Sequence, residues 1–196
     1  MSKAVIVGGG AAGMAAAVFL AEKGHTVHLF EKNEKLGKKI YITGKGRCNF
    51  TNACPQEELF DNIIHGRKFL YSAFYGYNNF DVIDFFESLG VRTKTERGNR
   101  VFPRSDHASD ITLALEKRIK ALDVTIHLKT EVTEVLASDG QIRGISLKDG
   151  SLIQADAVLV ATGGLSYPST GSTGDGYRFA RSLGHQVTPL CPSLVP

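Results

Sequence analysis

The spacing of hydrophobic and polar positions changes several times along the chain, and each change marks a predicted element. Apolar runs broken by glycine open the chain, and a long polar loop separates them from a stretch with helical apolar spacing. Aromatic residues of that stretch, including Phe80 and Phe86, are expected in the core. The predicted elements are, in order, strand 3–8, helix 11–23, strand 26–31, loop 32–55, helical segment 56–89 ended by Gly90, hairpin 91–104 turning near Gly98-Asn99, and a helix from Ser109 or Asp110 to about Leu122.

The second part of the chain has a period of two, which is typical of antiparallel strands. Strands are predicted at Val124–Leu128, Glu131–Ala137, Ile142–Lys148 and Ser151–Ala155, giving a β-meander over about 124–155. The continuous apolar run 156–161 predicts a strand buried on both faces of a parallel sheet, and 174–183 predicts a helix. This order of elements predicts an α/β fold: one Rossmann-like domain over 1–196, with a parallel central sheet and an inserted antiparallel meander.

Composition narrows the class of protein. The chain has 196 residues, 42% hydrophobic and 22% charged, which suits one sizeable soluble domain, and its formal charge of +3 is too mild to indicate nucleic-acid binding. The apolar run Ala4–Ala21 could pass for a leader or a membrane anchor, but its glycines and the strand that follows it argue against both. Cys48, Cys54 and Cys191 lack zinc spacing, so they predict free thiols in a reducing cytoplasm and no metal site.

The turn between the first strand and the first helix carries a glycine motif. Its six positions, G-x-G-x-x-G, are occupied by residues 8–13, with Gly8, Gly10 and Gly13 at the three glycine positions. The motif predicts cofactor contacts for Gly8, Gly10, Ala11, Ala12 and Gly13. In such a motif the glycines allow a tight turn, the approach of a pyrophosphate, and close packing of helix on strand. Glu31 ends the second strand, where a carboxylate can accept hydrogen bonds from both ribose hydroxyls of a dinucleotide. The alternative interpretation is a glycine-rich turn that binds nothing.

Two further glycine-rich turns follow later strands, at 161–164 and 171–176. Taken alone, Gly163 and Gly164 are compatible with a plain turn, and Asp175 with a cap at a helix start. A meander that returns to a strand ending in Ala-Thr-Gly-Gly resembles, however, the FAD domain of flavoproteins of the glutathione-reductase type. That resemblance implies that the backbone of Val132 contacts the adenine. It also places the following residues close to the dinucleotide: Ala161, Thr162, Gly163, Gly164, Gly174 and Asp175.

Residues 43–52, Thr-Gly-Lys-Gly-Arg-Cys-Asn-Phe-Thr-Asn, are similar to the motif S-G-G-G-R-C-N-x-T-N of one bacterial family. With the other glycine turns, they make nearly the whole chain resemble the BaiN-type NAD(FAD)-utilising dehydrogenases, also called aminoacetone-oxidase-like flavoproteins. Thr43 and Lys45 depart from the commonest form of the motif. Members of that family are much longer, so a substrate or cap domain and a C-terminal return to the FAD fold are expected to be absent here. The resemblance implies cofactor-binding roles for Lys32, Lys39, Gly44, Gly46, Arg47 and Asn49.

Three functions are weighed on these observations. The first and favoured one is the FAD-binding domain of a flavin-dependent oxidoreductase that transfers hydride through flavin N5 to or from a small-molecule substrate, with NAD(P)H open as electron donor. The second is an NAD-dependent dehydrogenase whose glycine turn binds NAD directly. The third is a flavin-associated nucleic-acid-binding module that uses the basic residues of 32–47. Arg100, Phe102, Pro103 and Arg104 either border the flavin face or form a hairpin packed elsewhere. No catalytic residue, substrate or oligomeric state is predicted.

Overall fold

The computed structural model describes residues 2–191, which form two compact units. The first unit comprises the described residues up to Leu36 and from Leu122 onward, and the second comprises Gly37–Ala121. The elements of the first unit are β1 (Lys3–Val7), α1 (Ala11–Glu22), β2 (Thr26–Phe30), β6 (Thr125–His127), β7 (Val132–Ser138), β8 (Gln141–Leu147), β9 (Leu152–Gln154), β10 (Ala157–Val160), a 3-10 turn (Pro168–Thr170) and α6 (Asp175–Ser182). Those of the second unit are a 3-10 segment (Ile40–Gly46), β3 (Thr51–Asn52), α2 (Gln56–Asp61), α3 (Arg67–Gly76), α4 (Asn79–Ser88), β4 (Thr93–Glu96), β5 (Arg100–Pro103) and α5 (Ala108–Ala121).

A parallel sheet with the strand order β10-β1-β2-β6 is the centre of the first unit. Val5 of β1 lies opposite His28 of β2 on one side and Val158 of β10 on the other. The carboxyl ends of these three strands therefore lie side by side, and ligands bind at that edge in open α/β sheets. The predicted α/β fold of the Rossmann type is confirmed.

An antiparallel meander of β7, β8 and β9 forms the other sheet of this unit. Its side chains Val135 and Ile145 belong to a buried cluster that includes Phe30 and Phe179. The meander was predicted from about residue 124, but the structure pairs Thr125–His127 in parallel with β2 instead. A strand of three residues carries too short a pattern to reveal its partner, so only the tertiary structure decides this pairing.

The position of β10 differs from its prediction. Residues 156–161 were expected to form a strand buried on both faces, yet Leu159 and Val160 are 37% and 40% exposed. Among the described strands, β10 has β1 as its single neighbour and thus forms an edge of the sheet. An apolar run indicates a strand, but it determines neither the place of that strand in the sheet nor what packs on its two faces.

The second unit combines helices with a small antiparallel sheet of order β3-β5-β4. The predicted hairpin is confirmed, since β4 and β5 pair on either side of the turn at Gly98-Asn99. The apolar side of α5 is at most 2% exposed at Ile111, Leu115 and Ile119, which recur at helical spacing.

The aromatic residues of 56–89 are divided between core and surface. Phe86 is 8% exposed and packs edge-on against Phe50, whereas Phe80 is 48% exposed and Phe69 is 86% exposed. The expectation that this stretch lies in the core therefore holds for Phe86 and is wrong for Phe80, because only one side of α4 packs against the rest of the unit. No helix in the described part of the chain is long and apolar enough to cross a membrane.

A pair of histidines joins β2 to β6 in the first unit. Nδ1 of His28 lies 3.1 Å from Nε2 of His127, and the His127 ring stacks on Phe30 with the ring centroids 4.2 Å apart. Burial, assisted by the charge of Lys3, lowers the pKa of both imidazoles below the ordinary value of 6.5. The unfolded chain therefore takes up protons below about pH 6.5 that the folded chain resists.

We expect the contribution of this pair to stability to be complete above about pH 6.5 and to decrease below that value, as in an experiment that lowers the pH from about 7 to about 5. His127→Phe keeps the stacked ring but removes a titrating group, so its melting temperature should fall less between those pH values than that of the wild type. His65 is exposed, and His65→Gln serves as the control that should follow the wild type. Thermal unfolding across the pH range tests this, and matching profiles for wild type and His127→Phe would contradict it.

Candidate dinucleotide-binding site

The turn after β1 depends on close packing of backbone segments. The N–H of Gly8 donates to the carbonyl of Phe30 at 2.8 Å, and its φ of 106° lies in the region that glycine favours. A Cβ at Gly8 would lie 2.5 Å from the carbonyl oxygen of Ala161, and a Cβ at Gly13 would overlap the carbonyl oxygen of Gly8. The strand end, the helix start and the turn at 161 therefore meet at distances that side chains would prevent.

The start of α1 is, by contrast, open. Gly10 is the N-cap and has no capping side chain, and a Cβ at this position would meet no atom within 4 Å. Within residues 2–191, the N–H groups of Ala11, Ala12 and Gly13 have no acceptor, as is usual in the first turn of a helix. Such N–H groups, together with the helix dipole, favour an anion. The space and the donors both fit the pyrophosphate of a dinucleotide.

The carboxylate of Glu31 faces this turn and is only 8% exposed. Its Oε2 accepts a hydrogen bond from the N–H of Gly9 at 2.7 Å. Its Oε1 accepts from the backbone N–H of Asn33 at 2.8 Å and from the Asn33 side chain at 2.7 Å. A carboxylate has about four lone-pair sites, so these three bonds leave room for a further donor such as a ribose hydroxyl. Gly9 lies at a variable position of the glycine motif and was given no role by it, and the only available signal for Asn33 was its proximity to Glu31 in sequence.

The segment that precedes β7 runs beside Glu31. The N–H of Thr130 donates to the carbonyl of Glu31 at 3.0 Å, and the N–H of Lys129 donates to that of Asn33 at 2.9 Å. Val132, the first residue of β7, is 6% exposed and pairs with Leu147. Val132 thus follows directly on the segment that borders the end of β2, and its contact with adenine stays a prediction.

The turn 161–164 lies at the same edge of the parallel sheet. The N–H of Ala161 donates to the carbonyl of Val7 at 2.8 Å, and the carbonyl of Gly164 accepts from the N–H of Gly174 at 3.2 Å. A Cβ at Gly163 would lie 2.7 Å from Oγ of Ser172. In the described part of the chain, the buried hydroxyl of Thr162 has no hydrogen-bond partner. This turn is therefore packed closely against the loop that leads into α6.

An ion pair ties the end of β2 to the start of α6. Nζ of Lys32 lies 2.7 Å from Oδ2 of Asp175 and donates to Oγ1 of Thr173 at the same distance. Partial burial of Asp175 acts to raise the pKa of its carboxyl, but the hydrogen bonds from Lys32 and Thr173 and the charge of Lys32 lower that pKa overall. Asn33 adds a second tie, since its side chain donates to the carbonyl of Thr170 at 3.1 Å. The structure thus places two predicted site residues, Lys32 and Asp175, in direct contact.

The predicted residues of the 39–49 loop lie in the second unit. Arg47 donates to both carboxylate oxygens of Glu96 at 2.9 and 3.1 Å, lies 3.4 Å from the Asp106 carboxylate, and its guanidinium is 4.2 Å from the ring centroid of Phe102. Burial lowers the pKa of Lys39. Arg47 already has two carboxylate partners, Glu96 and Asp106. Its predicted role beside the cofactor would require its guanidinium to bind the cofactor in addition to these carboxylates.

The remaining residues of this loop form a tight bend. Gly44 and Lys45 both have positive φ, and a Cβ at Gly44 would lie 2.8 Å from the backbone nitrogen of Asn49. Gly46, which also has positive φ, is followed by Arg47 and then by the buried Cys48. Burial raises the pKa of the Cys48 thiol, although a hydrogen bond with Thr43 acts against this. Cofactor binding by Gly44, Gly46 and Asn49 stays a prediction.

Comparison with known proteins supports the same class of site. The profile of the HI0933-like protein Rossmann domain matches residues 2–192. A 3-dehydro-bile acid delta(4,6)-reductase of Clostridium scindens is 37% identical over 100% of this chain and 47% of its own length, and a ribosomal RNA dihydrouridine synthase of Haemophilus influenzae is 34% identical over 100% and 48%. The 3-ketosteroid-delta4-(5alpha)-dehydrogenase of Rhodococcus jostii RHA1 shares the fold, with a TM-score of 0.71 at 16% identity, over 93% of this chain and 54% of that one.

The fold and the glycine-lined edge of the sheet define an FAD-binding Rossmann domain of the kind found in flavin-dependent oxidoreductases. The chain belongs to the HI0933-like family, and its resemblance to the BaiN-type flavoproteins is confirmed. The chain spans about half the length of the curated relatives that it matches. FAD is the cofactor that this domain binds, as the sequence predicted.

Proposed function

We propose that the protein is a flavin-dependent reductase that adds hydrogen across a conjugated double bond of an unsaturated ring. The observation that carries the flavin part of this proposal is the open start of α1. There, within residues 2–191, the N–H groups of Ala11, Ala12 and Gly13 have no acceptor, and a Cβ at Gly10 would meet no atom within 4 Å. The substrate part rests on two relatives, at 37% and 34% identity over the whole chain, whose names describe a delta(4,6)-reductase and a dihydrouridine synthase.

The residues of the chain act by binding and orienting the cofactor. The N–H groups of Ala11, Ala12 and Gly13 would hold the pyrophosphate, and Glu31, whose orientation Gly9 and Asn33 fix, would accept a hydrogen bond from the adenosine ribose. The Lys32–Asp175 pair keeps the loop before α6 closed against the end of β2. When bound, FAD supplies hydride transfer through N5 of its isoalloxazine ring. The free thiols Cys48, Cys54 and Cys191 suit a reducing compartment such as the cytoplasm.

A second candidate substrate is uridine in RNA. Two relatives, from Haemophilus influenzae and Escherichia coli, carry the name ribosomal RNA dihydrouridine synthase. The second unit has fourteen Lys and Arg residues against ten Asp and Glu residues, so the whole positive excess of the chain lies there. A net charge of this sign favours a polyanion. A small unsaturated ring compound remains the first choice, because the bile acid reductase is the more similar of these relatives.

The proposal is tested on the purified protein under anaerobic conditions. It should be yellow, with the absorption spectrum of oxidised flavin, and this absorbance should bleach on addition of NADPH or NADH. A 3-keto-4,6-diene bile acid should then restore the absorbance, whereas its saturated analogue, which offers no double bond, should not. Uridine-containing ribosomal RNA is added in a parallel experiment. If RNA restores the flavin absorbance and the bile acid does not, the substrate is uridine in RNA, the second candidate.

Two results would contradict the proposal. If the protein is colourless and shows fluorescence transfer to bound NADH, the glycine turn binds NAD directly and not a flavin. A yellow protein whose bleached absorbance is restored by none of the unsaturated compounds would leave the FAD site in place and overturn the proposed reaction. The two outcomes separate the cofactor from the substrate.

A further inference from the structure

A cavity of about 500 Å³ lies within the second unit, between the end of α4, the β4-β5 hairpin and α5. None of the residues that line it was predicted to bind FAD, with the exception of Arg104, which was weighed as a border of the flavin face. The lining residues are Leu89, Gly90, Val91, Arg92, Arg104, Ser105, Asp110, Leu113 and Ala114. They combine two guanidinium groups with an apolar wall.

Arg92 and Arg104 are held side by side by the hairpin. Thr93 lies opposite Pro103 in the ladder between β4 and β5, so Arg92 and Arg104 occupy the next register position. The N–H of Arg104 donates to the carbonyl of Arg92 at 2.8 Å, which fixes the two backbones together. Like charges at directly opposed positions of a sheet repel each other. The fold therefore maintains a pair of arginines at a site where their charges are unfavourable to each other.

Neither guanidinium has a partner within residues 2–191, where no hydrogen bond or ion pair of either side chain is found. Two cations near this hairpin do have acidic partners: Arg47 pairs with Glu96 of β4, and Lys94 of β4 pairs with Asp106 at 2.6 Å. Asp110 is the one acidic residue of the lining, and it accepts a hydrogen bond from Oγ of Ser105 at 2.6 Å. The charges that line the cavity therefore leave an excess of one positive charge.

Part of the lining of the cavity is apolar. Leu89, Val91, Leu113 and Ala114 contribute to it, and Leu113 is 55% exposed. An exposed leucine beside two unpaired arginines suits a molecule with an anionic group at one end and an apolar body at the other. A phosphodiester backbone offers no such body, so the apolar wall favours a small molecule over a nucleic acid.

We propose that this cavity binds a small organic anion, whose phosphate or carboxylate group is held by Arg92 and Arg104 and whose apolar ring packs against Leu89, Val91 and Leu113. Guanidinium groups bind carboxylate and phosphate through two parallel hydrogen bonds, which gives both strength and orientation. The site does not depend on the proposed reaction, because binding alone reports on it.

The flavin-loaded full-length protein is titrated calorimetrically with four probes: 1-naphthyl phosphate, 1-naphthoate, the neutral 1-naphthol, and inorganic phosphate. At least one naphthyl anion should bind with a dissociation constant at or below about 1 mM, and more tightly than 1-naphthol or inorganic phosphate. Tighter binding of the phosphate ester assigns the anionic group as phosphate, and tighter binding of 1-naphthoate assigns it as carboxylate. Binding of neither anion above the level of 1-naphthol overturns the proposal.

Variants locate the binding. Arg92→Gln and Arg104→Gln should each weaken binding of the favoured naphthyl anion about tenfold, since a charge-assisted hydrogen bond is lost. Leu113→Ser should weaken binding of the naphthyl anion and leave the affinity for inorganic phosphate unchanged. Arg97→Gln is the matched control, because Arg97 is exposed on the same hairpin but does not line the cavity. Both cavity arginines are exposed, so flavin content and melting temperature should stay at wild-type values. Equal weakening in Arg97→Gln, or none in both cavity variants, would overturn the assignment.

Discussion

Replacement of Gly13 by alanine is expected to destabilise the protein by about 3 kcal/mol or more and to abolish flavin retention. The added Cβ would overlap the carbonyl oxygen of Gly8 and lie 3.1 Å from its carbonyl carbon. These are backbone atoms, so no change of rotamer can relieve the overlap, and α1 must move away from β1. Chemical denaturation and the flavin-to-protein ratio measure the two effects. Gly76→Ala, at a helical glycine with nothing within 4 Å of an added Cβ, is the control. Its flavin content should match the wild type and its stability should not fall, because alanine favours a helix by up to about 1 kcal/mol.

Gly10→Ala separates binding of the cofactor from the stability of the fold. A Cβ at Gly10 meets no protein atom within 4 Å, and its φ of −81° is open to any residue. The free energy of unfolding should therefore lie within about 1 kcal/mol of the wild-type value. Alanine is slightly less favourable than glycine at an N-cap, but it also restricts the unfolded chain. The new methyl group would nevertheless fill the space assigned to the pyrophosphate. Wild-type flavin content in Gly10→Ala would show that the pyrophosphate does not approach this turn.

Glu31→Ala is expected to have the second large effect. The side chain is 8% exposed, and its removal leaves the N–H of Gly9 and two donors of Asn33 without an acceptor. The buried N–H of Gly9, left unsatisfied, costs about 1–3 kcal/mol and the partly buried donors of Asn33 cost less each, so the total loss should reach about 3 kcal/mol. Loss of a charged acceptor for the ribose should in addition weaken FAD binding about a hundredfold.

Glu31→Gln tests the two parts of that effect separately. Glutamine keeps the shape and one acceptor oxygen, but its amide group can only donate, so one of the present N–H donors must lose its partner. Stability should fall less than in Glu31→Ala. The affinity for FAD, measured by titration of the flavin-free protein, should still decrease because the charge is gone. Unchanged FAD affinity in both variants would remove Glu31 from the site.

Some of the site follows from local sequence alone. The glycine motif at 8–13 predicted both the turn and the start of α1, because backbone space and helix termini depend on a few consecutive residues. Glu31 was found because the end of the second strand could be read from the apolar run before it. Residues 161–164 and 174–175 were found through resemblance, and the structure places them at the edge of the sheet where the strands end.

Contacts between segments far apart in sequence could not be predicted. Lys32 and Asp175 are separated by most of the chain, and their ion pair exists because β1 brings β2 and β10 together. Arg47 was assigned to the cofactor, but the β4-β5 hairpin supplies Glu96 as its partner. The opposed pair Arg92 and Arg104 likewise depends on the register of that hairpin.

The sequence by itself determined the class of fold, the dinucleotide motif and the location of most strands and helices, since these depend on periodicity and on the conformations that glycine allows. The tertiary structure alone decided that Thr125–His127 joins the parallel sheet, that β10 lies at its edge, and which charges are paired. The reason is physical: strand pairing and ion pairing depend on distances between segments, and these distances exist only after the hydrophobic core has assembled.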